Sequence, residues 1–490
     1  MNAPLRINEA LLIADRAFQP FQCVAWSLQD GNGELSLTVI DRTKCSIGRK
    51  QIPSSAYTDP AQLERVLKQA REELSRDGRL DLSFAARGTT QVYFAGSLCS
   101  MTHDVAIDAC GRILVAAKVG MAEGSRFGLA RLLADGSADL SFGDQGSVIG
   151  QFENGFEAMA GKLAVLPNGN ILLAGLHYLN GHRTLPALAL FDHCGQPVQG
   201  FGENGRCVVR LPGNLSVGVR DAWLPPGVPG AEACDLRVQE DGRILLLANH
   251  HFELADHVGL LICLNRDGSL DSSFNGRGFV MVRHLLMNTW LSSLSLQADG
   301  RILVGGSINF PAEGLLARYH ANGQLDTSFA VDGFMSFDGA GRSTHVSHIV
   351  QQYNEDLLCV GSSRDPMHCL SLRLHNNGRP DSHCHGGQPR LLEIGRSGCQ
   401  WTAALALPDG CTLAAGATLG GCEADFILAR YLPDGQLDHQ FGDGLGWVRT
   451  RLSRSLDTAT SLTAQTDGAI VVGGYSLDGN YRAIVARYLG

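Results

Sequence analysis

Asp434-Gly435-Gln-Leu-Asp438-His-Gln-Phe441-Gly442, near the C-terminus, decides the fold because it is not alone. The same phrase stands at Asp77-Gly78-Arg-Leu-Asp81-Leu-Ser-Phe84 and at Asp135-Gly136-Ser-Ala-Asp139-Leu-Ser-Phe142-Gly143. It returns at Asp267-Gly268-Ser-Leu-Asp271-Ser-Ser-Phe274 and Asn322-Gly323-Gln-Leu-Asp326-Thr-Ser-Phe329. Two copies are degenerate: Cys194-Gly195-Gln-Pro-Val198-Gln-Gly-Phe201-Gly202 and Asn377-Gly378-Arg-Pro-Asp381-Ser-His-Cys384. The anchoring glycines are spaced by 58, 59, 73, 55, 55 and 57 residues, and 55 residues follow the last. A period of this length marks one supersecondary unit copied in tandem.

Each unit holds a second turn that enters an apolar run, as in Gly111-Arg-Ile-Leu-Val and Gly300-Arg-Ile-Leu-Val. It closes with another, as in Phe426-Ile-Leu-Ala-Arg430 and Ala483-Ile-Val-Ala-Arg487. Asp-Gly and Asn-Gly favour the positive-φ turns that join antiparallel strands. About 57 residues then supply four short strands, in the second unit near 147–152, 160–166, 170–176 and 187–192. One such sheet cannot cover both of its faces, whereas seven stacked around an axis cover one another. The expected fold is an all-β, seven-bladed β-propeller of four-stranded antiparallel blades over 77–490.

The combination Leu-x-Asp-x-x-Phe-Gly, Asp-Gly-x-Ile-Leu-Val-x-Gly and Leu-Ala-Arg-Tyr resembles the bacterial delta-60 repeat β-propeller family. The resemblance covers about 77–490 and weakens at Val198 and Cys384. It implies a propeller and no general activity.

The phase of the repeat is offset from a blade. A strand near 90–95 begins the array, and strands near 459–466, 469–474 and 482–488 end it. The first strand is therefore expected to complete the last blade and remove its open edge. Charges agree. An arginine stands five residues before an anchor glycine and an aspartate three after it, as Arg131/Asp139, Arg318/Asp326, Arg373/Asp381 and Arg430/Asp438. Both are lost together at Leu190/Val198, and half the pair is lost at Cys263/Asp271. Arg487 lacks a following glycine in phase, and Asp81 stands where its partner belongs. Guanidinium and carboxylate match geometrically, so these read as turn clamps rather than as a ligand-binding ring.

Residues 1–76 lie outside the repeat. Phe21–Leu28 and Glu34–Ile40 read as a β-hairpin, and Asp59-Pro60-Ala-Gln62 as a helix start. Leu63, Val66, Leu67, Ala70 and Leu74 mark one apolar helical face. This small α/β segment carries no catalytic motif.

Composition narrows the function. The 490 residues carry a net charge of −9 and no basic stripe, which argues against nucleic acid. No 18-residue apolar run exists, so no membrane span is expected. The N-terminus does not read as a signal peptide, and a cytoplasmic location is expected, with signal-independent export left open. The 14 cysteines show no C-x-x-C spacing and read as reduced, mostly buried thiols. Calcium loops, Walker loops, dinucleotide fingerprints, nucleophile elbows and H-E-x-x-H are all missing. No cofactor is expected.

Asp-Gly turns should crowd one rim, leaving the second-to-third-strand loops and the blade links on the other, variable rim. The third unit is about 15 residues longer than the rest, the excess falling at Gly213–Glu232 with Arg220, Asp221 and Trp223. Its other variable loop is read to carry His250, His251, Asp256 and His257. His182 and Arg183 in the second unit and Arg364 and Asp365 in the fifth complete the rim candidates. Three histidines with a carboxylate would suit a metal if they converged, which spacing alone does not establish, and no metal site is assigned. His383-Cys384-His385 reads as drift in the Leu-x-Asp-x-x-Phe turn. Eight residues before the second turn lies a small or polar column: His103, Gly161, Cys234, Ser292, Ser347, Thr402 and Thr460. Such residues suit inner strands around a wet channel, and His103-Asp104 is an acid/base candidate. The expected function is a non-catalytic binding or scaffold protein that presents its variable rim to a protein or glycan partner. The alternative is a hydrolase or lactonase-like enzyme with a metal or polar site in the channel.

Overall fold

Seven sheets, each with four strands running from inner to outer, follow one another along the chain of the computed structural model; the first six run in sequence order, and the second carries one added strand. The structure describes residues 7–18, 22–27, 35–40, 46–75, 78–179, 183–211, 217–219, 235–251, 257–284, 288–308, 312–364, 366–395, 397–420, 423–442 and 444–490. Blade 1 is built from Cys99–Ile107, Ile113–Met121, Gly124–Leu132 and Ser147–Gly150. Blades 2 to 6 open with inner strands at Ala158–Val165, Asp235–Val238, Thr289–Leu296, Thr344–Gln351 and Cys399–Ala406. Blade 7 takes Leu456–Ala464, Ile470–Asp478 and Asn480–Tyr488, and its outer strand is Thr89–Gln91 from the start of the array. Ile484 pairs with Gln91 and Ala486 with Thr89, so the two ends of the repeat share one sheet. The protein is a seven-bladed β-propeller with terminal strand closure.

The repeated phrase explains the stacking. Each anchor glycine has a positive φ, and six of the seven lie under the aromatic ring of the preceding copy. Phe84 covers Gly136, Phe142 covers Gly195, Phe201 covers Gly268, Phe274 covers Gly323 and Phe329 covers Gly378. Cys384 takes the aromatic position above Gly435, and Phe441 covers Gly78, which closes the cycle. A Cβ on any of these glycines would come within 3.1 Å of the covering ring or sulfur. Each of these phenylalanines is at most 1% exposed, and burying one contributes about 1.5–3 kcal/mol.

Arginine clamps the same turn. Arg131 Nε lies 2.7 Å from Asp139, Arg318 Nε 2.8 Å from Asp326 and Arg430 Nε 3.3 Å from Asp438. Arg373–Asp381 and Arg487–Asp81 are likewise in contact, the latter across the closure. The guanidinium also donates into the next blade, from Arg318 Nη1 to the Asn376 carbonyl at 2.6 Å. Where Cys263 replaces the arginine, Arg243 from the neighbouring turn reaches Asp271 at 3.3 Å. Leu190 and Val198, which replace a whole pair, pack in an apolar cluster instead. The clamp reading of the charges holds.

Ahead of the propeller, helix α1 (Ile7–Ala17), a short helix α2 (Ser54–Tyr57) and helix α3 (Pro60–Ser75) accompany an antiparallel sheet of Gln22–Ser27, Leu35–Ile40 and Ser46–Ile52. The expected hairpin and α3 are present, and Asp59 caps α3 by accepting from Ala61 N–H at 3.0 Å. Helix α1 and the third strand were not foreseen. Leu63, Leu67 and Ala70 of α3 bury against Ala10 and Ala14 of α1, against Leu37 and Ile52 of the sheet, and against Leu489. Leu489 follows the last strand of blade 7, at the rim of the Asp-Gly turns, so the segment meets the propeller on its uniform side.

Candidate functional site

The column of small and polar residues is a β-bulge. Pairing between the first two strands skips one inner-strand residue at His103, Gly161, Ser292, Ser347, Thr402 and Thr460. Cys234, the seventh member, lies outside the described residues. The second strand answers the bulge with a glycine in five blades. At Gly306, for example, a Cβ would collide with the Trp290 carbonyl. A bulge turns the next side chain toward the neighbouring blade. Asp104 accepts from Leu163 N–H at 2.9 Å, Asp235 from Leu294 N–H at 2.7 Å and Ser293 from Ile349 N–H at 2.9 Å. Ser461 accepts from Val105 N–H at 3.2 Å and donates to Asp104 at 2.5 Å, joining blade 7 to blade 1.

This ring corrects the reading of His103-Asp104. The Asp104 carboxylate is committed to Leu163, Ser461 and, at 3.6 Å, Lys162. No hydrogen bond joins it to His103. The His103 Nε2 is buried without a hydrogen-bond partner. Burial, with Lys118 and Lys162 adding like charge, pushes its pKa down to about 3 and keeps the ring neutral. His348 is held near 3 by burial as well, against the pull of Asp235 and with Arg237 and Lys162 opposing its charge.

The rim candidates divide. His182, Arg220, Asp221, Trp223, Asp256 and Asp365 lie outside the described residues. His250, His251 and His257 are not on a loop: they end the second strand and begin the third strand of blade 3, with His251 opposite His257 in the ladder. Pairing with the third strand carries the second strand through both histidines, with His250 opposite Val258. Arg183 begins the third strand of blade 2, beside Val217–Val219, a piece of the long insertion that pairs there as an added strand. Arg364 is exposed, in the turn just after the second strand of blade 5. Among the described residues no three His, Cys, Asp or Glu side chains converge as metal ligands.

Two other places on the variable rim hold chemistry. At the closure seam, a groove of about 380 Å³ runs between the 91–100 link and the hairpin of blade 7. Tyr93 and Tyr481 line it with Asp478, Asn480, Arg482 and Leu98. Tyr93 is 77% and Leu98 62% exposed, and Tyr481 meets Tyr475 edge to face at 5.7 Å. A second groove of about 440 Å³ continues on the other side of the link, lined by Met121, Glu123, Arg126 and Gln151. Sequence reading took Tyr93 for part of a closing strand, and the strand ends at Gln91. Between blades 4 and 5, the His345 ring lies between two hydroxyls, Ser292 Oγ 2.8 Å from Nε2 and Ser307 Oγ 3.1 Å from Nδ1.

Comparison with known proteins adds the repeat family. Structural similarity is weak in score: a protein of unknown function from Dyadobacter fermentans is 11% identical, with 82% of this chain and 98% of that one covered and a TM-score of 0.42. The polysaccharide lyase Uly1 is 10% identical over 82% and 92%, with a TM-score of 0.44. Chaetomium thermophilum Sqt1, bound to the N-terminus of ribosomal protein L10, is 11% identical over 96% and 93%, with a TM-score of 0.39. No curated protein matches the sequence. Residues 111–142, 239–274, 297–329, 407–441 and 465–489 match the family model described as "Domain of unknown function (DUF5122) beta-propeller". These segments lie in blades 1, 3, 4, 6 and 7, and the unmatched blades 2 and 5 are those with the degenerate turns at Val198 and Cys384. The chain is a β-propeller of the repeat type, similar in five of its blades to that family.

Proposed function

We propose that the protein is a binding propeller of the bacterial delta-60 repeat type that takes a glycan in the groove at its closure seam. The observation that carries this reading is the exposed Tyr93 in a groove shared with Tyr481, Asp478, Asn480 and Arg482. A sugar offers an apolar ring face and a fringe of hydroxyls. Tyrosine supplies area at low entropic cost, and carboxylate, amide and guanidinium groups supply directional hydrogen bonds. The groove rests on two strands of blade 7 and the first of blade 1, so its walls are preformed. The described residues of the N-terminal segment pack at the opposite rim, around Leu489.

An oligosaccharide array probed with the full chain, followed by calorimetric titration of its best ligand, tests the reading. Tyr93→Ala should remove binding, and Tyr353→Ala should keep it, because Tyr353 is 85% exposed in a turn of the opposite rim. An array without any ligand, or equal loss in both variants, overturns the proposal.

A further inference from the structure

Ser292 differs from its counterparts in the other blades in what its hydroxyl meets. At the same bulge, Thr402 donates to the Ala459 carbonyl of the next blade at 2.8 Å, and Thr460 donates to the Thr102 carbonyl at 2.9 Å. These are structural staples, because a carbonyl oxygen does not accept a proton for transfer. In blade 4 the partner is the Nε2 of His345 from blade 5, at 2.8 Å. The other ring nitrogen is 3.1 Å from Ser307, which is 8% exposed, whereas Ser292 and His345 are only half-buried. With Nδ1–H donating to the Ser307 oxygen, Nε2 keeps its lone pair for the accessible hydroxyl. Hydroxyl, base and orienting group then stand in the order that activates a serine. Arg364, the turn residue after the second strand of blade 5, is held by its N–H on the Ser343 carbonyl at 2.8 Å, two residues from His345, and its positive charge acts on the ring.

We propose that Ser292 is a nucleophile for acyl transfer, with His345 as its base and Ser307 as a positioning residue, acting on small carboxylic esters or lactones that carry an anionic group. Ser292 Oγ bonds to the acyl carbon as its proton passes to His345 Nε2. The bond from that carbon to the alcohol oxygen breaks, and the same proton moves to the departing alkoxide. Water gives a proton to His345 Nε2 as its oxygen bonds to the acyl carbon; the bond from that carbon to Ser292 Oγ breaks, the proton returns from Nε2 to Oγ, and the carboxylic acid leaves. No oxidant, metal or cofactor enters the balance. Arg364 supplies the preference for anionic substrates. The activity is independent of the seam groove, which lies at blades 7 and 1.

Wild-type protein treated with a fluorophosphonate should carry one adduct, mapped by peptide mass spectrometry to Ser292. Ser292→Ala should lose it. His345→Gln should slow labelling by about 100-fold or more, the usual worth of a positioned base. Ser307→Ala should lower kcat for p-nitrophenyl hemisuccinate and shift its pH profile, and Thr402→Ala should match wild type. Because burial and Arg364 hold His345 at about 4, the labelling rate should fall in acid with a midpoint near 4 rather than near 6.5. A folded wild-type protein without an adduct at Ser292, or labelling indifferent to His345→Gln, overturns the proposal.

Discussion

Replacing Gly323 with alanine tests the contact that links each blade to the next. The backbone there has φ +84°, and a Cβ would come 2.8 Å from Cε1 and 2.9 Å from Cζ of Phe274, and 3.1 Å from Asn275 Cβ. Two costs follow. Holding an L-residue in left-handed backbone costs about 1–2 kcal/mol, and overpacking against a buried ring costs about 1–3 kcal/mol. Their sum is about 2–5 kcal/mol. Gly169 separates the two, because its φ is +83° and nothing lies within 4 Å of a Cβ built there. Gly169→Ala should therefore cost only the backbone part, about 1–2 kcal/mol. Urea unfolding monitored by tryptophan fluorescence, at unchanged m value, reads the difference as a shift in midpoint. Adding Phe274→Ala to Gly323→Ala should cancel the excess, a coupling of about 1–3 kcal/mol in the double-mutant cycle. Equal midpoints for the two glycine variants, or a cycle without coupling, would refute the stacking argument.

Two more outcomes follow from the charges. Asp81 is 0% exposed and holds Arg487 across the closure, so Asp81→Ala should cost about 3 kcal/mol or more by stranding the arginine. Arg112→Ala, at a quarter-exposed side chain 3.5 Å from Asp139, should cost under about 1 kcal/mol by the same urea assay; equal shifts would remove any special role for the closure pair. At Asp326, burial works against ionisation. The Ser328 hydroxyl and N–H and the Arg318 guanidinium outweigh it and hold the pKa at about 2, with Asp139 and Asp271 also below the ordinary range. A folded pKa below the unfolded value of about 4 gives stability that is complete above pH ~4 and lost as pH falls toward 2. Urea midpoints should fall between pH 4 and 2, less steeply in Asp326→Asn; identical slopes in the two proteins would contradict the assignment.

The propeller was legible because its repeated residues act locally. Asp-Gly sets a turn, Phe and Gly meet one period apart, and Arg and Asp bond across eight residues, as at Arg318 and Asp326. Even the closure shows in sequence, since Arg487 is in phase with Asp81 although 406 residues away. What escaped depends on juxtaposition between blades. His345 meets Ser292 at a separation of 53 residues, and nothing at either position marks the pairing beforehand. Tyr93 becomes a rim residue only because the closing strand stops at Gln91. The bulge column was visible as small and polar residues, but the carbonyl that turns inward against Gly306 belongs to backbone geometry, which composition does not report.

The two rims divide the work, and the division has an energetic cause. On the uniform rim the turn aspartates, arginines and phenylalanines are spent on one another, and Leu489 is covered by the N-terminal helices. A substitution there is felt by the neighbouring blade. On the variable rim the link 92–98 and the hairpin at 478–482 end strands already fixed by their ladders. Tyr93, Leu98 and Arg482 are free to change without loosening the ring, because all three are exposed. Binding residues can therefore diversify at the seam at little cost in stability. Ser292 and His345 lie between these regimes. Ser292 stands where blades 6 and 7 use a hydroxyl to staple neighbours together, so a side chain already positioned by the fold is also the one placed to react.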